Sequence, residues 1–344
     1  MALTSTSETH PRRVSELGEF GLIERFASLL GTAPEGEVWA GDDAAVVGID
    51  GGTLFTTDVL VEGVDFELAW ASGVDVGWKA IAENVSDIAA MGGRPTHAVV
   101  SLALPASTPV SVTDAIGEGL VEAKERWDIA VVGGDVSRAS EISVTVAMLG
   151  RCGPQLVLRS GAKVGDVLCV TGSLGGAAAG LQLLRRGLAG PGPTEGRHVS
   201  PELAETCVRL AGRQLRPQPR TEEGEALAEV GVHAMIDISD GLLADAGHLV
   251  DSGGLAWSLT GEVPVDPDAI AVASLIAADP AELARTGGED FELLFACEPA
   301  TVDAAREALR RLGTAVTVVG EVRERREDDD TVEDVQGWDH LRDR

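Results

Sequence analysis

The chain has 344 residues, 44% hydrophobic and 24% charged, enough for two domains that each bury a core. A formal net charge of -29 excludes nucleic acid and anionic membrane surfaces as natural partners, because both are polyanions. Lysine occurs only at 79, 124 and 163, so a bound phosphate would draw much of its neutralisation from metal cations.

Residues 1–15 read as a disordered N-terminus without the apolar stretch of a signal peptide. From Gly18, GEFGLIERFASLL has helical spacing. Strands are expected at 44–49 and 53–59, joined by the Asp50-Gly51-Gly52 turn. The spacing of Ile81, Val85, Ile88 and Ala89 predicts a helix over 76–91, stopped by Gly92-Gly93. A strand at 97–104, a helix at 110–127 and strands at 129–132 and 142–149 complete an α/β unit over 16–150. The second unit, 151–344, begins at a turn-rich junction over 150–166. Its expected strands are 167–170, 235–238, 255–259, 291–297 and 315–320. Its expected helices follow the glycine turn at 172–176 and cover 201–213, 221–230, 241–251 and 301–312. A Gly/Pro-rich loop spans 187–200, and a charged tail begins near 322. Cys152, Cys169, Cys207 and Cys297 form no CxxC pair and read as buried free thiols in a reducing compartment, the cytoplasm.

Aspartates recur where apolar strands are expected to end: Asp42 and Asp43 in GDDAAVV, Asp58 in TTDVL, Asp135 in VVGGDVSR, Asp237 and Asp240 in DISDGL. Asp87 instead lies on the polar side of the 76–91 helix. A single Asp beside glycine is an ordinary turn former. Carboxylates repeated at one edge of a fold would repel one another unless divalent cations joined them. In DISDGL, Ser239 and the helix start could either cap the helix or offer N–H groups to a phosphate. No Walker A sequence, protein-kinase motif set, zinc-spaced histidines or EF-hand loop is present. GSLGGAAAG at 172–180 departs from GxGxxG and reads as small residues for close helix packing.

Taken in order, GDDAAVV, TTDVLVEGVDF, NVSDIAAMGG, VVGGDVSR, RSGAKVGD, DISDGLLAD and GGEDFELLF resemble the blocks of the thiamine-monophosphate kinase family, in the aminoimidazole ribonucleotide synthetase superfamily. The resemblance implies a two-domain α/β (α+β) fold whose N-terminal domains pair into a homodimer. It implies ATP as co-substrate, several Mg2+ ions, and thiamine monophosphate converted to thiamine diphosphate. Asp43, Thr56, Thr57, Asp58, Asp87, Asp135, Asp237 and Asp240 would be metal ligands. Asp58 and Asp135 would hold the ions nearest the transferred group. Gly134, Asp135, Arg159 and Ser239 would contact ATP. Asp65, Glu289 and Trp338 would face the thiamine phosphate, Asp65 standing where some relatives carry His. Selenophosphate synthetase, of the same superfamily, would want a reactive Cys or selenocysteine near its N-terminal glycine loop, and no cysteine precedes Cys152. A non-enzymatic acidic protein that binds divalent cations is the alternative from a different class, separable by assay for ATP turnover.

Overall fold

The computed structural model describes residues 44–47, 52–190, 200–251 and 254–326. The expected disordered N-terminus, the helix from Gly18, Asp42, Asp43, most of the 187–200 loop and the tail with Trp338 lie outside the described residues.

The first half pairs five strands: β1 (Ala45–Val47), β2 (Thr53–Val61), β3 (Arg94–Leu104), β4 (Ala130–Arg138) and β5 (Ser143–Arg151). Their order is β1-β2-β5-β3-β4, and only β3 and β4 run parallel. The sheet is therefore mostly antiparallel, the α+β form of the expected class. Helix α1 (Gly73–Ala90) opens with Ser72 and Asp75 exchanging side-chain and backbone hydrogen bonds, a capping box. It lies on the sheet, and α2 (Val110–Arg126) packs on α1. The two helices touch through glycines: a Cβ at Gly77 would stand 2.1 Å from the Ile116 carbonyl oxygen, and one at Gly119 2.0 Å from that of Val74. Ile81, Val85, Ile88 and Ala89 are fully buried, as their spacing predicts.

The second half comprises β6 (Val167–Thr171), α3 (Gly176–Arg185), α4 (Pro201–Leu215), α5 (Thr221–Val230), β7 (Ala234–Asp237), α6 (Leu242–Asp251), β8 (Leu255–Leu259), α7 (Pro267–Ile276), α8 (Pro280–Thr286), β9 (Leu293–Cys297), α9 (Val302–Arg310) and β10 (Val316–Glu324). Its sheet, β7-β9-β6-β10-β8, is antiparallel throughout. Alternate residues of its strands feed two cores. Leu168, Val170, Ile236 and Leu294 meet α6 on one face; Cys169, Met235 and Phe295 meet α5 and α9 on the other. Strand β10 takes in the first residues of the expected tail.

Helices α7 and α8 are additions to the expected elements. Both begin Asp-Pro, and Asp266 and Asp279 accept first-turn N–H bonds, so the signal was an N-cap followed by Pro at the first helical position. Helix α1 joins the halves, since it also packs against α5 and β7.

Candidate active site

One cleft of about 570 Å³ lies between the halves. From the first half it is lined by Thr56, Thr57, Asp58, Asp65 and Asp87, and from the second by Arg159, Asp237, Ser239, Asp240 and Glu289. Ten of the expected site residues therefore share one wall system, although they span more than 230 positions of chain.

In the first half the positioning is done inside regular structure. Thr56 and Asp58 are two apart on β2, so both face α1. The Thr56 hydroxyl donates to the Asp87 carboxylate of α1 at 2.5 Å. One residue before Asp87, the Ser86 hydroxyl donates to Asp237 Oδ2 at 2.6 Å, a bond that crosses between the halves. Thr57 gives its hydroxyl to the Val146 carbonyl at 2.8 Å and also lines the cleft. Asp65 folds back to accept the Val61 N–H at 2.8 Å.

The aspartates do not sit at strand ends as a group. Asp58 is inside β2, and Asp135 is inside β4, which runs to Arg138 rather than stopping near 132. Register places Asp58 in the row Asp58, Val146, Val100, Gly134, and Asp135 in the next row with Val59, Thr145 and Ser101. Adjacent rows project to opposite faces. Asp135 is thus exposed on the face away from Asp58, and neither it nor Gly134 lines the cleft. Gly134 is needed where it is, because a Cβ there would stand 1.9 Å from the Val100 carbonyl oxygen.

The second half uses two interlocked loops. Asp237 ends β7, and Ile238 exchanges backbone bonds with Phe291 and Glu292. Glu289 donates its N–H to the Ser239 carbonyl at 2.8 Å. Glu289 and Phe291 have φ of 64° and 48°, the left-handed region that non-glycine residues rarely occupy. Gly241 has φ of 112°, and a Cβ there would meet the Thr286 backbone at 2.8 Å. Two N–H groups just ahead of α6 are already taken. Asp245 Oδ2 accepts the N–H groups of Asp240 and Gly241 at 3.2 and 3.0 Å. Burial, then Asp240 and Asp237, push the Asp245 carboxyl well above its ordinary range. Arg159 stands on a single 3-10 turn beside α6 and β7.

Each acidic residue of GGEDFEL has its own task. Glu289 accepts from Lys79 at 2.5 Å and from Gln214. Asp290 accepts from Gly175 and Ala177 N–H at 2.6 and 3.0 Å, closing the α3 N-terminus, while burial raises its pKa to about 7. Glu292 takes both arms of Arg220 at 2.7 and 2.5 Å and the Thr171 hydroxyl at 2.6 Å. The small residues of 172–180 serve close packing, since a Cβ at Gly180 would stand 2.0 Å from the Leu210 carbonyl oxygen.

Sequence reasoning missed Lys79, Glu83, Ser86 and Gln214. Lys79 is buried; desolvation alone would lower its pKa, but Glu289, Glu83 and Asp65 together raise it. Glu83 is pushed well above its ordinary range by burial, against the pull of Lys79. A lysine buried in a helix was the available signal, visible only once the helix is known to be covered on all sides.

Among the described residues, no three His, Cys, Asp or Glu side chains stand together as a complete metal shell. No helix among them is long and apolar enough to cross a membrane.

The chain matches the AIR synthase related protein N-terminal domain over 41–152 and the C-terminal domain over 163–333. It is 38% identical over 308 residues to the thiamine-monophosphate kinase of Mycobacterium tuberculosis (strain ATCC 25618 / H37Rv), covering 88% of this chain and 87% of that protein. It is 38% identical over 285 residues to that of Aquifex aeolicus (strain VF5), covering 82% and 87%. The solved structure of AaThiL complexed with AMPPCP and TMP superposes with a TM-score of 0.82 at 34% identity, over 96% of this chain and 100% of that one. The chain belongs to the AIR synthase related proteins and, within them, to the thiamine-monophosphate kinase family.

Proposed function

We propose that the cleft between the two sheets carries out direct in-line transfer of the ATP γ-phosphoryl group to the phosphate of thiamine monophosphate. The phosphotransfer itself, ATP to thiamine monophosphate, is the family's activity and this chain's. The observation that carries the cleft assignment is the meeting of Asp58 and Asp87 with Asp237, Ser239 and Asp240 around one space. The relative solved with AMPPCP and TMP supports a cleft that takes both reactants.

Phosphoryl transfer needs positioning and charge neutralisation more than proton transfer, and the acceptor phosphate is already ionised near neutral pH. Carboxylate and hydroxyl oxygens are donors that suit Mg2+. Such ions usually take one or two carboxylates and complete their shell with phosphate oxygens and water, so a protein alone need not present three. In our reading Asp43, Thr56, Thr57, Asp58, Asp87, Asp237 and Asp240 hold Mg2+. Bound Mg2+ would supply cancellation of charge between the two reacting anions. Arg159 and Ser239 orient ATP, and Asp65, Glu289 and Trp338 orient the thiamine phosphate.

A homodimer formed through the first sheet completes the proposal. Phe55, Val59 and Val99 share its outer face at 44%, 49% and 44% exposure, an apolar surface that a second copy would cover. Asp135 projects from that face, so we assign its role, and that of Gly134 beside it, to the paired state. We place the enzyme in the cytoplasm, where ATP and reduced thiols are available.

The test is to mix the protein with ATP, Mg2+ and thiamine monophosphate and measure thiamine diphosphate, with free thiamine as control acceptor. Thiamine diphosphate formed only from the monophosphate is expected. Hydrolysis of ATP without that product would overturn the reading.

A further inference from the structure

Gln214 closes the last turn of α4 and lines the cleft, yet it is only 2% exposed. Its Nε2 donates to Glu289 Oε2. The amide orientation is dictated by that partner, since a carboxylate can only accept. Gln214 Oε1 therefore points elsewhere, and it is a buried acceptor with no hydrogen-bond partner. Leaving such an atom unpaired costs about 1–3 kcal/mol, so native proteins rarely do so without a use for it.

The surroundings of Gln214 are fixed. The other oxygen of Glu289 is held by Lys79 at 2.5 Å, and Lys79 also lies 3.5 Å from the Asp65 carbonyl oxygen and 4.0 Å from Glu83. Glu289 keeps a left-handed backbone, and Gly288 beside it has no room for a Cβ, which would stand 2.3 Å from the Ser239 carbonyl oxygen. Strain of this kind persists where the surrounding structure over-determines it, often at ligand sites.

A group that meets Gln214 Oε1 must donate a hydrogen. Phosphate oxygens cannot, which removes the reacting ends of both substrates. Each substrate also carries a ring with an exocyclic amine, the purine of ATP and the aminopyrimidine of thiamine monophosphate. The carboxyl groups of Glu289 and Glu83 gather here around the single ammonium of Lys79, with the main-chain carbonyl of Asp65 beside it. That favours the ring system joined to a positive thiazolium over one joined to a triphosphate. Resting on the function proposed above, we infer that Gln214 Oε1 accepts the amino group of the pyrimidine, making Gln214 a specificity-determining residue for the acceptor substrate.

The test compares thiamine monophosphate with oxythiamine monophosphate, which has oxygen in place of that amino group. Wild-type protein is expected to prefer the amino compound by about 10- to 100-fold in kcat/KM, the cost of leaving a buried acceptor unpaired. Gln214→Met should lower kcat/KM for thiamine monophosphate by a similar factor, chiefly through KM. It should bring the preference close to unity and leave KM for ATP within twofold. A wild-type enzyme indifferent to the exchange would overturn the inference, whatever the variant's folding. So would a preference retained by the variant, or a rise in KM for ATP instead. If wild-type protein formed no thiamine diphosphate at all, the proposed function would fail separately. Calorimetric binding of the two compounds would then still decide Gln214, with the same ratio expected.

Discussion

The two walls of the cleft are built in different ways. On the first-half wall, Thr56, Asp58 and Asp87 sit inside a strand and a helix, and the periods of those elements aim them. On the second-half wall, Ser239, Asp240 and Glu289 sit on loops held by left-handed backbone at Gly241, Glu289 and Phe291 and by partly buried ion pairs. A side chain on the first wall can be changed without moving the backbone. On the second wall, chemistry and loop conformation are bound together.

That contrast orders the expected effects. The largest belongs to Asp58→Asn, which keeps the shape and hydrogen-bonding size of the side chain but removes its charge. We expect turnover to fall about 10³-fold, as for loss of a key electrostatic group, with circular dichroism and melting temperature unchanged. Retained turnover would remove Asp58 from the phosphate site. On the second wall, Arg220→Met should act through folding. It strands Glu292, which is 3% exposed, and should cost about 3–5 kcal/mol in urea unfolding, with activity lost in step with structure. A fully stable but inactive variant would erase the distinction between the walls.

The third effect is a pH dependence. Burial, followed by the nearby positive charge of Arg159, lowers the His248 pKa from 6.5 to about 4, against the opposing effect of Asp251. Below pH 6.5 the unfolded chain takes up this proton and the folded chain does not, so stability is lost as pH falls from 6.5 toward 4. The loss should reach on the order of 2 kcal/mol by pH 5, and His248→Gln should flatten it. An unchanged slope in that variant would place the dependence elsewhere. The smallest effect is that of Ser86→Ala, which removes the hydroxyl bond joining α1 to Asp237. About 1–2 kcal/mol of stability should go, with a weaker apparent affinity for ATP, measurable by unfolding and by KM. No change in either would mean the two walls are aligned by apolar packing alone.

Legibility in the sequence followed the same division. The α1 core stripe, the β1–β2 hairpin and most strand positions were readable because burial imposes a period of 3.6 or 2. Asp58, Asp87 and Asp237 were readable as a set because their blocks recur along the chain in a familiar order. Asp135 was misplaced because Gly133-Gly134 looked like a turn, whereas tight packing on Val100 keeps β4 running through it. Lys79 and Gln214 were invisible because polar residues on a helix read as solvated until the tertiary structure covers them. The cap by Asp245 was missed for a related reason, as it reaches back from inside α6 rather than preceding it.

Diffraction at the manganese absorption edge, from crystals grown with AMPPCP and Mn2+ in place of Mg2+, tests the central claim most directly. Anomalous peaks are expected within coordination distance of Asp58 or Asp87 and of Asp237 or Asp240, each shared with a phosphate oxygen of the nucleotide. Ions and phosphates bound away from these carboxylates would contradict it.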